Sequence, residues 1–222
     1  MQNIIIAIDG PSGVGKSTLG KEVARRLGYL FIDSGAVYRA VGLKAIESGI
    51  SLEDHPSITQ AARQSDIRLE GDPDNLKTFL DGREVTREIR TPEASRAASV
   101  VATIPEVREV VVDKLRAMAD IRNVVMDGRD VGTKIFPRAQ VKVFLEASND
   151  VRARRRWIEE IERGRDVSFA EISSELDERD RRDRERAATP LVRADDAILI
   201  DTSDTSIEGV IERVLEIVNS RS

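Results

Sequence analysis

A strand, a glycine turn and an amphipathic helix occupy residues 4–27, and this run restricts the chain more than any other feature. Ile4-Ile5-Ile6-Ala7-Ile8 is short, β-branched and continuous, the pattern of a parallel strand covered on both faces. Gly10-Pro11-Ser12-Gly13-Val14-Gly15-Lys16-Ser17, followed by Thr18, fits the pattern G-x-x-x-x-G-K-[ST]. From Lys16 onward, apolar residues recur at Leu19, Val23, Ala24 and Leu27 with helical spacing, and Gly28 ends the segment. The three glycines let the loop turn its backbone N–H groups toward one phosphate, and the following helix adds a favourable dipole. Lys16 is then placed to neutralise β- and γ-phosphates, and Ser17 to offer its hydroxyl to Mg²⁺.

The same strand–helix rhythm continues. Short apolar runs at 29–32, 124–126, 141–145 and 197–200 each precede a helical pattern. Strands alternating with helices predict a five-stranded parallel sheet with helices on both faces. One region departs from this: Ile67-Arg68-Leu69, Thr78-Phe79-Leu80 and Val85 flank turn signals at Gly71-Asp72-Pro73-Asp74 and Asp81-Gly82. That spacing predicts a small antiparallel insertion over roughly 66–90. The last segment, Ile207 to Val218, carries an ordinary core-facing helical stripe.

Composition removes several chemistries. There is no cysteine and one histidine, His55, so thiolate chemistry, a Ser-His-Asp triad and a multi-histidine metal site are all disfavoured. Lys plus Arg is 35 against 40 for Asp plus Glu, a net charge of −5, which argues against a nucleic-acid surface. No long apolar stretch suggests a leader or a membrane span, so a cytoplasmic protein is expected. A GTPase should also carry N-K-x-D, which is missing. These readings leave a small kinase acting on a small acceptor, with UMP, AMP or shikimate among the acceptors still open, beside a nucleotide-binding regulatory module without transferase activity.

Two further clusters sit where such an acceptor should bind. Asp33-Ser34-Gly35, with Tyr38 and Arg39 beyond, follows the second strand, and Asp127-Gly128-Arg129-Asp130 follows the third. Ligands of open α/β sheets gather outside the carboxyl ends of strands, so both clusters and the glycine loop should face one cleft. Asp127 suits Mg²⁺ through water, and Arg39 and Arg129 suit an anionic acceptor. From 152 to 186 arginines and acids interleave. Most are expected to be solvated ion pairs. Arg179, Asp183 and Arg186 fall at i, i+4 and i+7 on one helix face, and Arg152 and Arg156 at i and i+4 could belong to a mobile lid over ATP.

Taken together, I-D-G-P-S-G-V-G-K-S-T at 8–18, D-S-G-A-V-Y-R at 33–39, E-I-R-T-P-E at 88–93, D-G-R-D-V-G-T at 127–133 and R-D-R-R-D-R-E-R at 179–186, leading into Pro190-Leu191, resemble the bacterial cytidylate kinases. The resemblance spans nearly the whole chain. It implies a nucleoside monophosphate kinase fold: a core of 1–33, 101–147 and 188–222, an acceptor-binding subdomain over 34–100, and a short helical lid with arginine-rich helices over 148–187. It implies transfer of the ATP γ-phosphate to CMP or dCMP with Mg²⁺, in a monomer. By motif, Gly10 to Thr18 and Arg152 fall on the ATP side. Asp33 and Ser34 approach the acceptor, Arg39 and Arg129 bind its phosphate, and Ser99, Arg108 and Asp130 read cytosine. Arg179, Asp183 and Arg186 reach sugar and phosphate, and Lys16, Arg129 and Arg156 are the expected catalytic cations.

Overall fold

The computed structural model describes residues 3–120 and 122–221. In chain order its elements begin with β1 (Ile5–Asp9), α1 (Lys16–Leu27), β2 (Leu30–Asp33), α2 (Ser34–Glu47) and α3 (His55–Gln64). The insertion follows as β3 (Ile67–Glu70), β4 (Lys77–Leu80) and β5 (Arg83–Glu84), then α4 (Pro92–Val101) and α5 (Pro105–Ala119). The chain continues through β6 (Val124–Gly128), β7 (Val141–Glu146), α6 (Asn149–Glu162), α7 (Phe169–Glu185), β8 (Ile198–Asp201) and α8 (Ile207–Arg221).

β1 explains the layered architecture. Ile5 and Ala7 face one side of the sheet and pack with residues of α2, α4 and α5, while Ile6 and Ile8 face the other and pack with α1 and α8. A strand with both faces covered needs no polar alternation, which is why its sequence is continuously apolar. The sheet order is β2-β6-β1-β7-β8, and all its pairings are parallel. The expected insertion is a separate antiparallel sheet of order β3-β4-β5, with Asp81-Gly82 turning between β4 and β5. Asp81 itself adopts a left-handed φ of 51°, which its short polar side chain tolerates.

Strand ends differ from the sequence expectation in a way that matters for the site. β1 runs one residue further, to Asp9, and β6 runs to Gly128, so Asp127 lies within the strand rather than after it. Parallel register sets Asp127 beside Ile8 of β1 and Asp33 of β2. α2 starts immediately after β2, because the Asp33 carboxylate caps it by accepting the Ala36 N–H at 3.0 Å.

α6 and α7 pack on each other through Ala153, Ile172 and Leu176, with Trp157 edge-on to Phe169. Gly164 turns the chain just past α6 with φ 77°, and a Ser168–Glu171 capping box starts α7. The expectation that the arginines here are solvated holds for Arg154, which pairs with Asp150 on the surface. It fails at Glu160, whose buried carboxylate gathers Arg156, Arg163 and Arg165. α7 ends at Glu185 with Arg186 as its C-cap: the Arg186 N–H still bonds the Arg182 carbonyl at 3.1 Å and its φ of −60° is helical, so it keeps the face of Arg179 and Asp183, while its ψ of 137° releases the chain and its Nε donates to the Thr189 carbonyl. No helix among the described residues is long and apolar enough to cross a membrane.

Candidate active site

β1 leads directly into the glycine loop. Gly10, Gly13 and Gly15 all have φ between 74° and 150°, the region that glycine occupies without steric cost. A Cβ on Gly10 would stand 2.4 Å from the Leu145 carbonyl oxygen, so the loop is seated against the end of β7. Gly15 is the left-handed residue before α1, and Lys16 follows as the first helical residue. The Lys16 side chain is buried and folds back to donate from Nζ to the Pro11 carbonyl at 2.6 Å.

Cations converge on this loop. Arg129, just beyond β6, donates from Nη2 to Ser12 Oγ at 2.7 Å and from Nε to Asp183 of α7 at 2.8 Å. Burial and the repulsion of Arg129 hold Lys16 well below the usual ammonium range. Burial and Arg129 likewise pull the Arg179 guanidinium down to about 10. Arg39 pairs with Asp33 at 2.6 Å and leaves its Nε without a partner. Burial alone would raise the Asp33 carboxyl, but the charge and hydrogen bond of Arg39 outweigh it and hold it low. An anion entering among Lys16, Arg129 and Arg179 would relieve their mutual repulsion.

Asp127 forms the floor. Ser17 Oγ donates to its Oδ2 at 2.5 Å. Burial and the neighbouring Asp33 push its carboxyl up to about 7. A hydroxyl beside a buried carboxylate is a hard-oxygen donor pair of the kind that shares Mg²⁺ with substrate phosphates, so these residues fit the ion.

On the far side of β6 lies a second polar cluster. Asp130 pairs with Arg108 and lies 3.8 Å from Arg186. Arg108 also donates from Nε to Thr189 Oγ1 at 2.6 Å and stands over the Tyr38 ring. Ser99 Oγ, Tyr38 Oη and Arg186 Nη2 are buried here without hydrogen-bond partners. Buried polar atoms are nearly always satisfied, so donors and acceptors left open at one place mark a ligand surface.

The sequence-based site residues thus fall into two groups joined by Arg129 and Asp183. Lys16, Ser17, Asp127 and Arg129 lie at the loop, and Ser99, Arg108, Asp130 and Arg186 lie at the second cluster. Two of the expected residues are engaged by other groups: buried Arg152 by Asp180, the Ser12 carbonyl and the Ala147 carbonyl, and partly exposed Arg156 by Glu159 and Glu160. Sequence reasoning missed Asp9. Its buried carboxylate accepts the Val131 and Gly132 N–H groups at 2.9 and 2.7 Å and so anchors the π-type turn Val131–Ile135 behind Asp130. Its place as the last residue of β1 was the available signal.

The buried charges carry a pH signature. Burial pushes Asp9 up to about 6, against the pull of its two N–H bonds. Between pH 5 and 8 raised carboxyls keep protons that the unfolded chain has released, so their contribution to stability falls as pH rises. For Asp9 alone this amounts to about 1 kcal/mol across that window, the rest being lost below pH 5. Lys16 acts oppositely, because the unfolded chain holds its proton more tightly than the folded one. Unfolding in denaturant from pH 7 to 10, without Mg²⁺, should show the wild type gaining stability relative to Lys16→Met as pH rises toward the unfolded lysine's 10.5. Parallel profiles would contradict the assigned shifts.

A parallel sheet in this order, with arginines gathered at a phosphate loop, defines the class of phosphate-loop phosphotransferases. Solved structures share the fold at low identity: an uncharacterized protein from Eubacterium ventriosum (TM-score 0.57, 12% identity, covering 99% of this chain and 100% of that one) and shikimate kinase from Bacteroides thetaiotaomicron (TM-score 0.50, 18% identity, 97% and 98%). The family model for cytidylate kinase matches residues 6–220. Cytidylate kinase from Desulfitobacterium hafniense is 46% identical over 220 residues, covering 99% of this chain and 94% of its own. That from Caldanaerobacter subterraneus subsp. tengcongensis is 49% identical over 217 residues, covering 98% and 95%. The chain belongs to the cytidylate kinase family and is a kinase.

Proposed function

We propose that this site transfers the γ-phosphate of ATP to CMP or dCMP, giving ADP and the nucleoside diphosphate. The observation that carries the reading is the meeting of the buried Lys16 with the half-buried Arg129 and Arg179, mutually repelling, between a phosphate loop and a cluster with open hydrogen-bonding atoms. The loop residues Gly10 to Thr18 take the ATP phosphates, Arg152 supports the loop from behind, and Arg156 leaves Glu160 to cover them. Ser17 and Asp127, the latter through water, would hold Mg²⁺, which supplies positive charge to the transferring group. Asp33, Ser34, Arg39 and Arg129 take the acceptor phosphate. Arg179, Asp183 and Arg186 hold the sugar and phosphate, and Ser99, Arg108 and Asp130 the base.

The acceptor nucleophile is a phosphate oxygen, anionic at neutral pH, so no general base is required. What remains is to align it with the γ-phosphate and to spread charge over the transferring group. Residues 34–100 act as the acceptor-side subdomain and 148–187 as the lid over the remaining core. The reading carries a monomeric cytoplasmic enzyme with no nucleic-acid or membrane partner.

A coupled assay for ADP, with and without CMP, tests it: ADP production should require CMP. Asp183→Ala should then cut kcat/KM for CMP by roughly tenfold or more, the cost of leaving a buried polar group unpaired. Binding of ATP alone should be nearly unchanged. Arg181, exposed on another face of α7, is the control. Equal, small effects at 181 and 183 would sink the assignment of this face.

A further inference from the structure

The most unusual group near the phosphate loop is a carboxylate. Asp180, on α7, is 2% exposed, and its Oδ1 accepts the Ser12 N–H at 3.2 Å. A buried negative charge beside a polyanion site is unfavourable unless it is paired. Here Arg152 of α6 pairs with its Oδ2 and, through the same Nη1, donates to the Ser12 carbonyl at 3.0 Å. The backbone of α6 also touches the loop: a Cβ on Gly13 would stand 3.2 Å from the Arg152 carbonyl oxygen. Both backbone polar groups of Ser12 are therefore held by one ion pair.

The third polar group of Ser12, its hydroxyl, accepts from Arg129, and Arg129 also holds Asp183. Asp180 and Asp183 lie at i and i+3, on one face of α7. The contacts close a ring: Ser12 to Asp180, along one turn of α7 to Asp183, then through Arg129 back to Ser12. One side of the ring is the phosphate loop. The other is the helix that presents Arg179 and Asp183 toward the acceptor.

The geometry points to Asp180 and Arg152 as positioning residues that tie the phosphate loop to the acceptor-binding helix, so that ATP and CMP reinforce each other's binding. Neither side chain reacts. Anything that settles α7 on the acceptor also settles Ser12, and through it the loop that receives ATP. By linkage the enhancement is equal in both directions. The inference rests on the acceptor assignment given above.

The test is calorimetric titration of a non-hydrolysable ATP analogue with Mg²⁺, in the absence and presence of saturating CMP, and then CMP with and without the analogue. Wild type should show the same enhancement either way, about fivefold or more. Asp180→Asn, which keeps an acceptor for the Ser12 N–H but loses the charge that holds Arg152, should reduce the factor to near one. Ser12→Ala, which cuts only the Arg129 arm and leaves the ion pair intact, should reduce it as well, and it serves if Asp180→Asn does not fold. A purely structural role would lower the melting temperature and leave the factor unchanged, which overturns the inference. Wild type that turns over CMP with a factor of one overturns it alone, whereas wild type that does not phosphorylate CMP overturns the acceptor assignment with it.

Discussion

Lys16→Met lowers turnover with ATP and CMP by about 10²–10³-fold, the usual cost of removing one preorganised group that stabilises developing charge. The expectation follows from the fold. The first residue of α1 is fixed by the left-handed Gly15 before it, and its ammonium is held inside the loop by the Pro11 carbonyl at 2.6 Å. In the absence of nucleotide that position is costly, since burial and Arg129 both disfavour the charge. The nucleotide phosphates supply the missing counter-charge, so the lysine's favourable interactions arise only when the reacting group is present. The substitution should therefore leave thermal stability at neutral pH unchanged or improved while activity falls. Steady-state kinetics beside a melting curve separates the two. A variant keeping more than about a tenth of wild-type turnover would remove Lys16 from the reaction at that magnitude.

That loop was legible because everything it needs is local. Strand, glycines, lysine and helix lie within residues 4–27, and each element's pattern agrees with its neighbour's. The antiparallel insertion was legible for the same reason, through Asp81-Gly82 and the alternation around it. The partners of the site residues were not. The Ser12–Asp180 bond spans 168 positions and the Arg129–Ser12 bond 117, and no spacing rule reaches that far. Asp180 consequently reads as one more acid in a charged helix. Arg186 shows periodicity at the limit of its reach. The i+7 spacing holds because the Arg186 N–H still bonds the Arg182 carbonyl at 3.1 Å, and only beyond it does the chain leave α7 and turn at Thr189, which has φ 48°, ahead of Pro190. From that position Arg186 reaches Asp183, at 3.6 Å, and Asp130, at 3.8 Å.

Base selectivity should move most at Asp130. Cytosine presents an amine at C4, with acceptors at N3 and O2; uracil presents a carbonyl at C4 and a donor at N3. A carboxylate accepts from the cytosine amine and opposes the uracil carbonyl, while Arg108 can donate to N3 and O2 and Ser99 can complete the edge. The surroundings make alanine a poor probe: it would leave Arg108 buried without its paired carboxylate, and breaking a buried pair costs about 3–5 kcal/mol. Asp130→Asn is the sharper test. The amide oxygen still accepts from Arg108, and the amide nitrogen offers uracil the donor that the carboxylate lacked. An unpaired buried polar group costs about 1–3 kcal/mol, so kcat/KM for CMP should fall relative to UMP by roughly tenfold to several hundredfold. The unpartnered Ser99 hydroxyl and Arg186 Nη2 predict the direction of a companion result: Ser99→Ala should weaken CMP use without raising UMP use, because it removes a partner and adds no donor. If the CMP/UMP ratio is the same in Asp130→Asn as in the wild type, Asp130 serves only to hold Arg108 in place, and the base must be read by groups elsewhere in the cluster.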